Sequence, residues 1–275
     1  MKKTLLVPVD FTPVSHEALL FACELSKNHE TEIVAVHLLD DKIAGQFNAG
    51  KNPALKKMAE RMYEEIMVKT KKDLDNFLSG LQEIYGNIIH PLIAHGTIYE
   101  AFNDVASKYD SSLIIMGTHG IVGMQNVFGS IAYKVVVRTP YPFLIVQEKA
   151  FKPINTIYFV FKDVNQMVNN ADVINTFTGY FPAKYIFNIL SGDNVLSTVI
   201  PPSLNEISDR ITLVQEPLLS KNAIDCAYAA GADAIGLCID EMENINGETY
   251  GITQEKILAN KYKLPVLCLP VKASL

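Results

Sequence analysis

Four glycines, a histidine and a serine fall within the stretch GTHGIVGMQNVFGS, Gly117–Ser130, directly after the apolar run Leu113-Ile114-Ile115-Met116. Residues of these types at the mouth of a strand can hold phosphate. Gly117 and Gly120 permit left-handed or extended backbone that a side chain would block. Consecutive N–H groups in such turns form a nest for an anion. Gly129 lets a phosphate come close to the chain, and Ser130 adds a hydroxyl at a helix start, where free N–H groups and the dipole favour negative charge. The same residues would also serve as a flexible connector between a strand and a helix.

Better-known chemistries are excluded by spacing. There is no G-x-x-x-x-G-K-[ST] phosphate loop, no G-x-S-x-G nucleophile elbow and no H-E-x-x-H zinc pair. The first strand–helix turn, VDFTPV, lacks glycine, so no dinucleotide fingerprint stands where one is needed. His90 and His95 flank one strand end without a nearby cysteine or paired carboxylates, which argues against a metal site. Cys23, Cys226, Cys238 and Cys268 form no C-x-x-C pair and read as buried free thiols. The net charge is −6, without the basic excess that nucleic-acid binding requires. The opening MKKTLLVPVD resembles a signal peptide, but its apolar run ends at Asp10 with no small-residue cleavage site, and no stretch reaches the roughly 18 apolar residues of a membrane span. A soluble, cytoplasmic protein is the expectation, with no membrane and no nucleic-acid partner.

The glycine stretch is placed by a regular alternation of elements. TLLVPV (Thr4–Val9) reads as a strand, and Thr12 and Pro13 as the cap and first residue of a helix carrying Val14, Ala18, Leu19, Ala22 and Leu25. EIVAVHLL (Glu32–Leu39) is a second strand, with His37 a hydrogen-bonded core residue. A polar loop over 40–52 leads to a long helix, about Pro53 to Tyr85. On it Met58, Met62 and Met67 read as core filling in preference to a sticky binding face. NIIHPLIA, a helix over 97–108, the strand LIIM, a helix over 130–138 and the strand FLIVQ follow. Continuous apolar strands separated by helices predict a parallel sheet covered on both faces. After the linker EKAFKPIN the alternation begins again with TIYFVF (Thr156–Phe161), a helix-like stretch to about Tyr180, KYIFNIL, ITLVQ, a helix over 221–230, AIGLCI, and a last helix and strand ending LPVLCLPV. The period, about 125 residues, is too long for a solenoid and predicts two copies of one α/β domain.

The segments LLVPVDFTPVSHEAL, VAVHLLD and LIIMGTHG…GS…KVV…PYPFLIV resemble the universal stress protein family over residues 1–148. Beyond 154 the resemblance persists as strand order and scattered matches, as in the tandem members of the family. It implies two tandem Rossmann-like domains, 1–148 and 154–275, related to the adenine nucleotide alpha hydrolase-like fold. Each has a five-stranded parallel sheet with helices on both faces, and the two form an internal pseudo-dimer. It also implies an adenine nucleotide (AMP, ADP or ATP), with or without Mg2+, lying across the strand ends of the first domain. Pro8, Val9 and Asp10 would face adenosine, Leu38 would line the base pocket, and Met116 and Gly117 would flank base and sugar. His119, Gly120, Gly129, Ser130 and Ile131 would surround the phosphates. Asp10 has a competing reading as a helix N-terminal charge, and His119 as an exposed loop side chain.

One departure bears on the ligand. ATP-binding members show G-x2-G-x9-G-[ST], whereas here Gly120 and Gly129 enclose only IVGMQNVF, with Ile121 where a basic residue is frequent. A cradle one residue shorter, by up to about 3.5 Å of reach, favours AMP, ADP or no nucleotide over a triphosphate. In the second half CIDEMENING replaces GTHGIVG, so that Asp240, Glu241 and Glu243 would repel phosphate, and Lys162 stands where the first half has Asp10. The expectation is a stress-response regulator with one nucleotide site, slow ATP hydrolysis at most, an unidentified protein partner and a possible homodimer. The alternative is a stress-response interaction module that binds no nucleotide.

Overall fold

Apolar side chains alternate across the first strand, and their burial follows the alternation. Leu5, Val7 and Val9 join one core cluster and Leu6 the other. A strand with both faces buried needs cover on both sides, and the chain supplies it with helices. The computed structural model describes residues 3–27, 29, 31–40, 53–86, 88–118, 135–136, 139–147, 151–191, 200–215, 223–239, 248–249, 252–253 and 260–270.

The first half runs β1 (Lys3–Pro8), α1 (Pro13–Ser26), β2 (Thr31–Asp40), α2 (Pro53–Tyr85), β3 (Ile89–Gly96), α3 (Ile98–Lys108), β4 (Ser111–Thr118) and β5 (Phe143–Gln147). The second runs β6 (Thr156–Phe161), α4 (Val164–Asn169), α5 (Ala171–Thr178), β7 (Lys184–Ile189), a 3-10 helix (Pro202–Arg210), β8 (Ile211–Val214), α6 (Ala223–Ala229) and β9 (Ala234–Ile239). Two short strands, β10 (Glu248–Thr249) and β11 (Ile252–Thr253), pair antiparallel with each other, and β12 (Val266–Pro270) closes the order.

Ten strands form one sheet in the order β3-β2-β1-β4-β5-β12-β9-β6-β7-β8. Neighbours are parallel except at the middle, where β12 runs antiparallel to β5 with Val266 opposite Ile145 and Cys268 opposite Phe143. Taken in chain order, the strands on each side of that junction are arranged alike. The expected α/β architecture is therefore present, with the two five-stranded parts joined into a continuous sheet through their last strands.

Helices α1 and α2 cover one face of the first half through Ala18, Leu19, Ala22, Leu74, Leu78 and Leu81, and α3 covers the other through Phe102, Val105 and Ala106. The Tyr85 hydroxyl of α2 donates to the Glu24 carboxylate of α1, which also pairs with Lys27 at 2.7 Å. Those two hydrogen bonds, from Lys27 first, hold the Glu24 carboxyl below its ordinary range. The four cysteines are free thiols, and burial pushes Cys23 up to about 12.

Two expectations change. Met58 and Met62 are not core residues; they are 59% and 41% exposed. The 33 residues of α2 span about 50 Å, whereas the ten of β2 span about 33 Å, so the helix is longer than the sheet it covers. The helix-like stretch to Tyr180 is two helices, because the Asn170 side chain donates to the Gln166 carbonyl at 2.9 Å and ends α4 there. Of the helix expected over 130–138, only 135–136 lie within the described residues.

Candidate functional site

The strand order turns back between β1 and β4. From β1 the chain steps outward to β2 and β3, then returns to place β4 on the other side of β1. In open parallel sheets the crevice at the carboxyl ends of such a pair is where ligands bind, because the helices that follow the two strands diverge to opposite faces. Leu6 pairs with Ile114, and two residues further along each strand stand Pro8 and Met116. Five of the candidate residues therefore meet at the crevice: Pro8, Val9 and Asp10 from β1 and its exit, and Met116 and Gly117 from β4. Leu38 stands near the end of β2, opposite Ala94 of β3 and partly buried against the α3 core.

Gly117 is in the strand itself, paired with Val146, and needs no unusual backbone. Its reason for being glycine is proximity. A Cβ built there would sit 2.3 Å from the Val14 carbonyl oxygen and 2.7 Å from its carbon. The missing side chain lets the first turn of α1 lie directly against the end of β4, which brings that turn's positive dipole end to the crevice.

The β1–α1 turn is built from short polar side chains. Thr12 caps α1 by accepting from the Ser15 N–H at 3.3 Å, with Pro13 as the first helical residue. Asp10 Oδ1 accepts from the Thr12 N–H at 3.1 Å and from the Thr12 hydroxyl at 2.5 Å. One carboxylate oxygen is thus committed to the turn, and among the described residues nothing bonds the other. The contacts of Asp10 are those of its helix-start reading, one oxygen organising the turn into α1. Thr12→Ala is expected to lower stability by about 1 kcal/mol, checked by urea unfolding at neutral pH.

Sequence reasoning did not find Phe11. It takes φ +63°, a left-handed conformation rare for a bulky residue. It is held there by stacking on His37 at 4.4 Å and by an edge contact with Phe77 at 5.6 Å. His37 in turn pairs through Nδ1 with the Val9 carbonyl at 2.8 Å, the bonded role expected of it. No composition or spacing signal marks Phe11, since its conformation is set by α2 and β2, far away in the chain. His95 pairs with the Tyr63 hydroxyl at 2.8 Å and His90 lies 3.6 Å from Glu32, so the two histidines are engaged separately.

His119, Gly120, Gly129, Ser130 and Ile131 lie outside the described residues, as do Asp240, Glu241 and Glu243. Lys162 is described. Its N–H bonds the Gln166 side chain at 2.7 Å and its carbonyl accepts from Ser191, so at this corner the second half substitutes a backbone-bonded turn for the Asp10 turn.

Comparison with known proteins gives a consistent picture. The model of the family described as "Universal stress protein family" matches residues 1–147. A universal stress protein of Methanocaldococcus jannaschii is 26% identical over 148 residues, which is 53% of this chain and 82% of that protein. Among solved structures, a universal stress protein from Archaeoglobus fulgidus superposes with a TM-score of 0.61 at 12% identity, covering 98% of each chain. A protein of unknown function from Pseudomonas aeruginosa PAO1 gives a TM-score of 0.50 at 12% identity over 98% of this chain and 92% of that one. At such identity the two structures speak for the fold. Among the described residues no helix is long and apolar enough to cross a membrane.

Proposed function

The chain belongs to the universal stress protein family, and from that premise we propose that it is a cytoplasmic stress-response regulator whose first half binds an adenine nucleotide at the β1–β4 crevice. The observation that carries this reading is the close seat of the α1 first turn on Gly117, which leaves an anion-favouring helix end and a side-chain-free strand end at the switch in strand order. In this reading Pro8, Val9, Asp10, Leu38, Met116 and Gly117 meet the adenosine, with the uncommitted Asp10 oxygen accepting from ribose or base. His119, Gly120, Gly129, Ser130 and Ile131 surround the phosphates. Asp10 is also the carboxylate at hand should Mg2+ enter with the phosphates. Residues 154–275 are a second, altered copy of the same domain, kept as a packing partner, since the two five-strand orders correspond across the β5–β12 junction. Occupancy of the first half would alter the surface that an unidentified protein partner, or a second copy of the chain, reads.

Calorimetric titration with AMP, ADP and ATP, with and without Mg2+, tests the reading on wild type, Asp10→Ala and Gly120→Val. Micromolar binding is expected, weaker by about tenfold in Asp10→Ala for the loss of a charge-assisted hydrogen bond and lost in Gly120→Val. No heat with any nucleotide, on folded protein free of carried-over ligand, would move the protein to a second reading, an interaction module without nucleotide. The engagement of Asp10 by Thr12 and the eight-residue spacer favour that second reading.

A further inference from the structure

Helix α2 keeps three large apolar side chains in solvent: Met58 is 59% exposed, Met62 41% and Val68 71%. Its inner side is marked by the buried Ala59, Thr70, Leu74, Leu78 and Leu81. At about 3.6 residues per turn, Met58 and Val68 fall on the side away from that stripe and Met62 on its flank. Single exposed apolar residues are ordinary on a surface, but these three lie along one seam. Met58, Met62, Glu65, Lys69, Lys72 and Asn76 follow one another at alternating steps of four and three, the spacing that keeps a line of positions facing a neighbouring helix. All six are exposed, as are Arg61, Val68 and Asp75 beside the line.

The charges along this line are self-complementary in one arrangement. Two copies of α2 laid antiparallel about a two-fold axis at residue 67 place Glu65 opposite Lys69 of the second copy, and Lys69 opposite its Glu65. On the flank Arg61 then faces Asp75 of the second copy, Asp75 faces its Arg61, and Val68 meets Val68 beside the axis. Met62 lies along the apolar stem of Lys72, and Met58 against Asn76. Among the described residues Arg61, Glu65, Lys69 and Asp75 make no ion pair within their own chain. Other arrangements lack this match. A parallel pairing sets Glu65 against Glu65 and Lys69 against Lys69. Sliding the antiparallel pair by one heptad sets Lys69 against Lys72 in one direction and Glu65 against Met62 in the other.

We propose that the outer face of α2 is the contact through which two copies of this chain associate, antiparallel and centred at residue 67. That face lies nearly opposite the side that α2 turns to the sheet, so the two bodies stand apart and do not compete for space. Charged residues within the seam make the association weak and fix its register. The contact is separate from the β1–β4 crevice and does not rest on the nucleotide reading.

Sedimentation of the full chain from micromolar to millimolar concentration is the test. Wild type is expected to dimerise with a dissociation constant on the order of 50 µM, since one helix pair buries less than a standard interface. Glu65→Lys alone and Lys69→Glu alone each turn two opposed attractions into repulsions and should weaken the dimer about tenfold. Val68→Lys should weaken it too, because it brings two ammonium groups together near the axis while suiting a helix better than valine does. An equimolar mixture of the Glu65→Lys and Lys69→Glu chains should recover wild-type association, because every opposed pair at 65 and 69 in the mixed dimer is again Lys with Glu. All three positions are exposed, so each variant should keep the wild-type melting profile. A monomeric wild type overturns the proposal and leaves the face to another protein or to solvent. Dimers indifferent to the single reversals, or a mixture no more associated than its components, overturn it equally.

Discussion

Gly117→Ala is expected to destabilise the protein by about 3 kcal/mol, near the upper end of what overpacking a well-filled core costs. The added Cβ would stand 2.3 Å from the Val14 carbonyl oxygen, and both contact partners are backbone, so no rotamer change relieves it. Either α1 lifts off the end of β4 or the strand bends. Both neighbours are core elements, with Val14 2% and Met116 8% exposed. Thermal unfolding should show the midpoint fall by about 6–12 °C, at a few degrees per kcal/mol for a chain of this size. Gly80→Ala supplies the contrast. Gly80 lies within α2 with nothing within 4 Å of a Cβ, so alanine there should add about 0.5–1 kcal/mol through helix propensity alone. Equal effects at the two positions would show that contact with Val14 is not what requires glycine at 117. The variant should also weaken nucleotide binding at the β1–β4 crevice, because the α1 first turn is displaced from it.

Asn260→Ala is the second large effect, expected at about 3 kcal/mol for buried backbone groups left without partners. Asn260 is 5% exposed and clamps the turn before β12: its amide donates to the Leu264 carbonyl at 2.8 Å and its side-chain oxygen accepts from the Leu264 N–H at 2.9 Å. It also ties the halves together. With the Gln147 amide nitrogen facing the Asn260 carbonyl, at 3.2 Å, the Gln147 oxygen accepts from the Asn260 N–H at 3.0 Å and from its side-chain nitrogen at 2.9 Å. Gln147 ends β5 in the first half and is itself 5% exposed. A double-mutant cycle with Gln147→Ala should give a coupling of about 1–2 kcal/mol. Additive effects would mean that the bond from the Asn260 side-chain nitrogen to the Gln147 oxygen contributes nothing, since the other two bonds reach the Asn260 main chain and persist in the alanine variant. Both variants remove support from the junction between the halves, so their unfolding should be followed before any ligand titration on them.

Much of this was legible in residue types and spacing. Thr12-Pro13 before an apolar helical pattern located the start of α1 because capping is local chemistry, and the cap formed as expected. The long helix over 53–85 and the apolar strands were legible for the same reason: periodicity records which side of an element faces a core. The methionines of α2 show where that record fails. Their spacing places them beside the core stripe, but whether a core is there depends on the length of a sheet assembled from other segments. In the candidate site, the glycine at 117 was visible and its cause was not. Freedom of φ is a local property, whereas contact with the Val14 carbonyl depends on how α1 docks on β4.

The sequence by itself determined the alternating strands and helices, the family resemblance over 1–148, the helix cap, and a glycine at the end of the fourth strand. Each is written in residues near one another in the chain. The tertiary structure decided what joins distant segments. It set β5 against β12 in opposite directions, tied one Asp10 oxygen to Thr12, and held Phe11 at positive φ against His37 and Phe77. It also closed a cleft from Phe21, Lys152 and Tyr228, residues that no local pattern connects. The physical reason is that propensity and periodicity act over a few residues, while packing selects among the ways of bringing buried faces together.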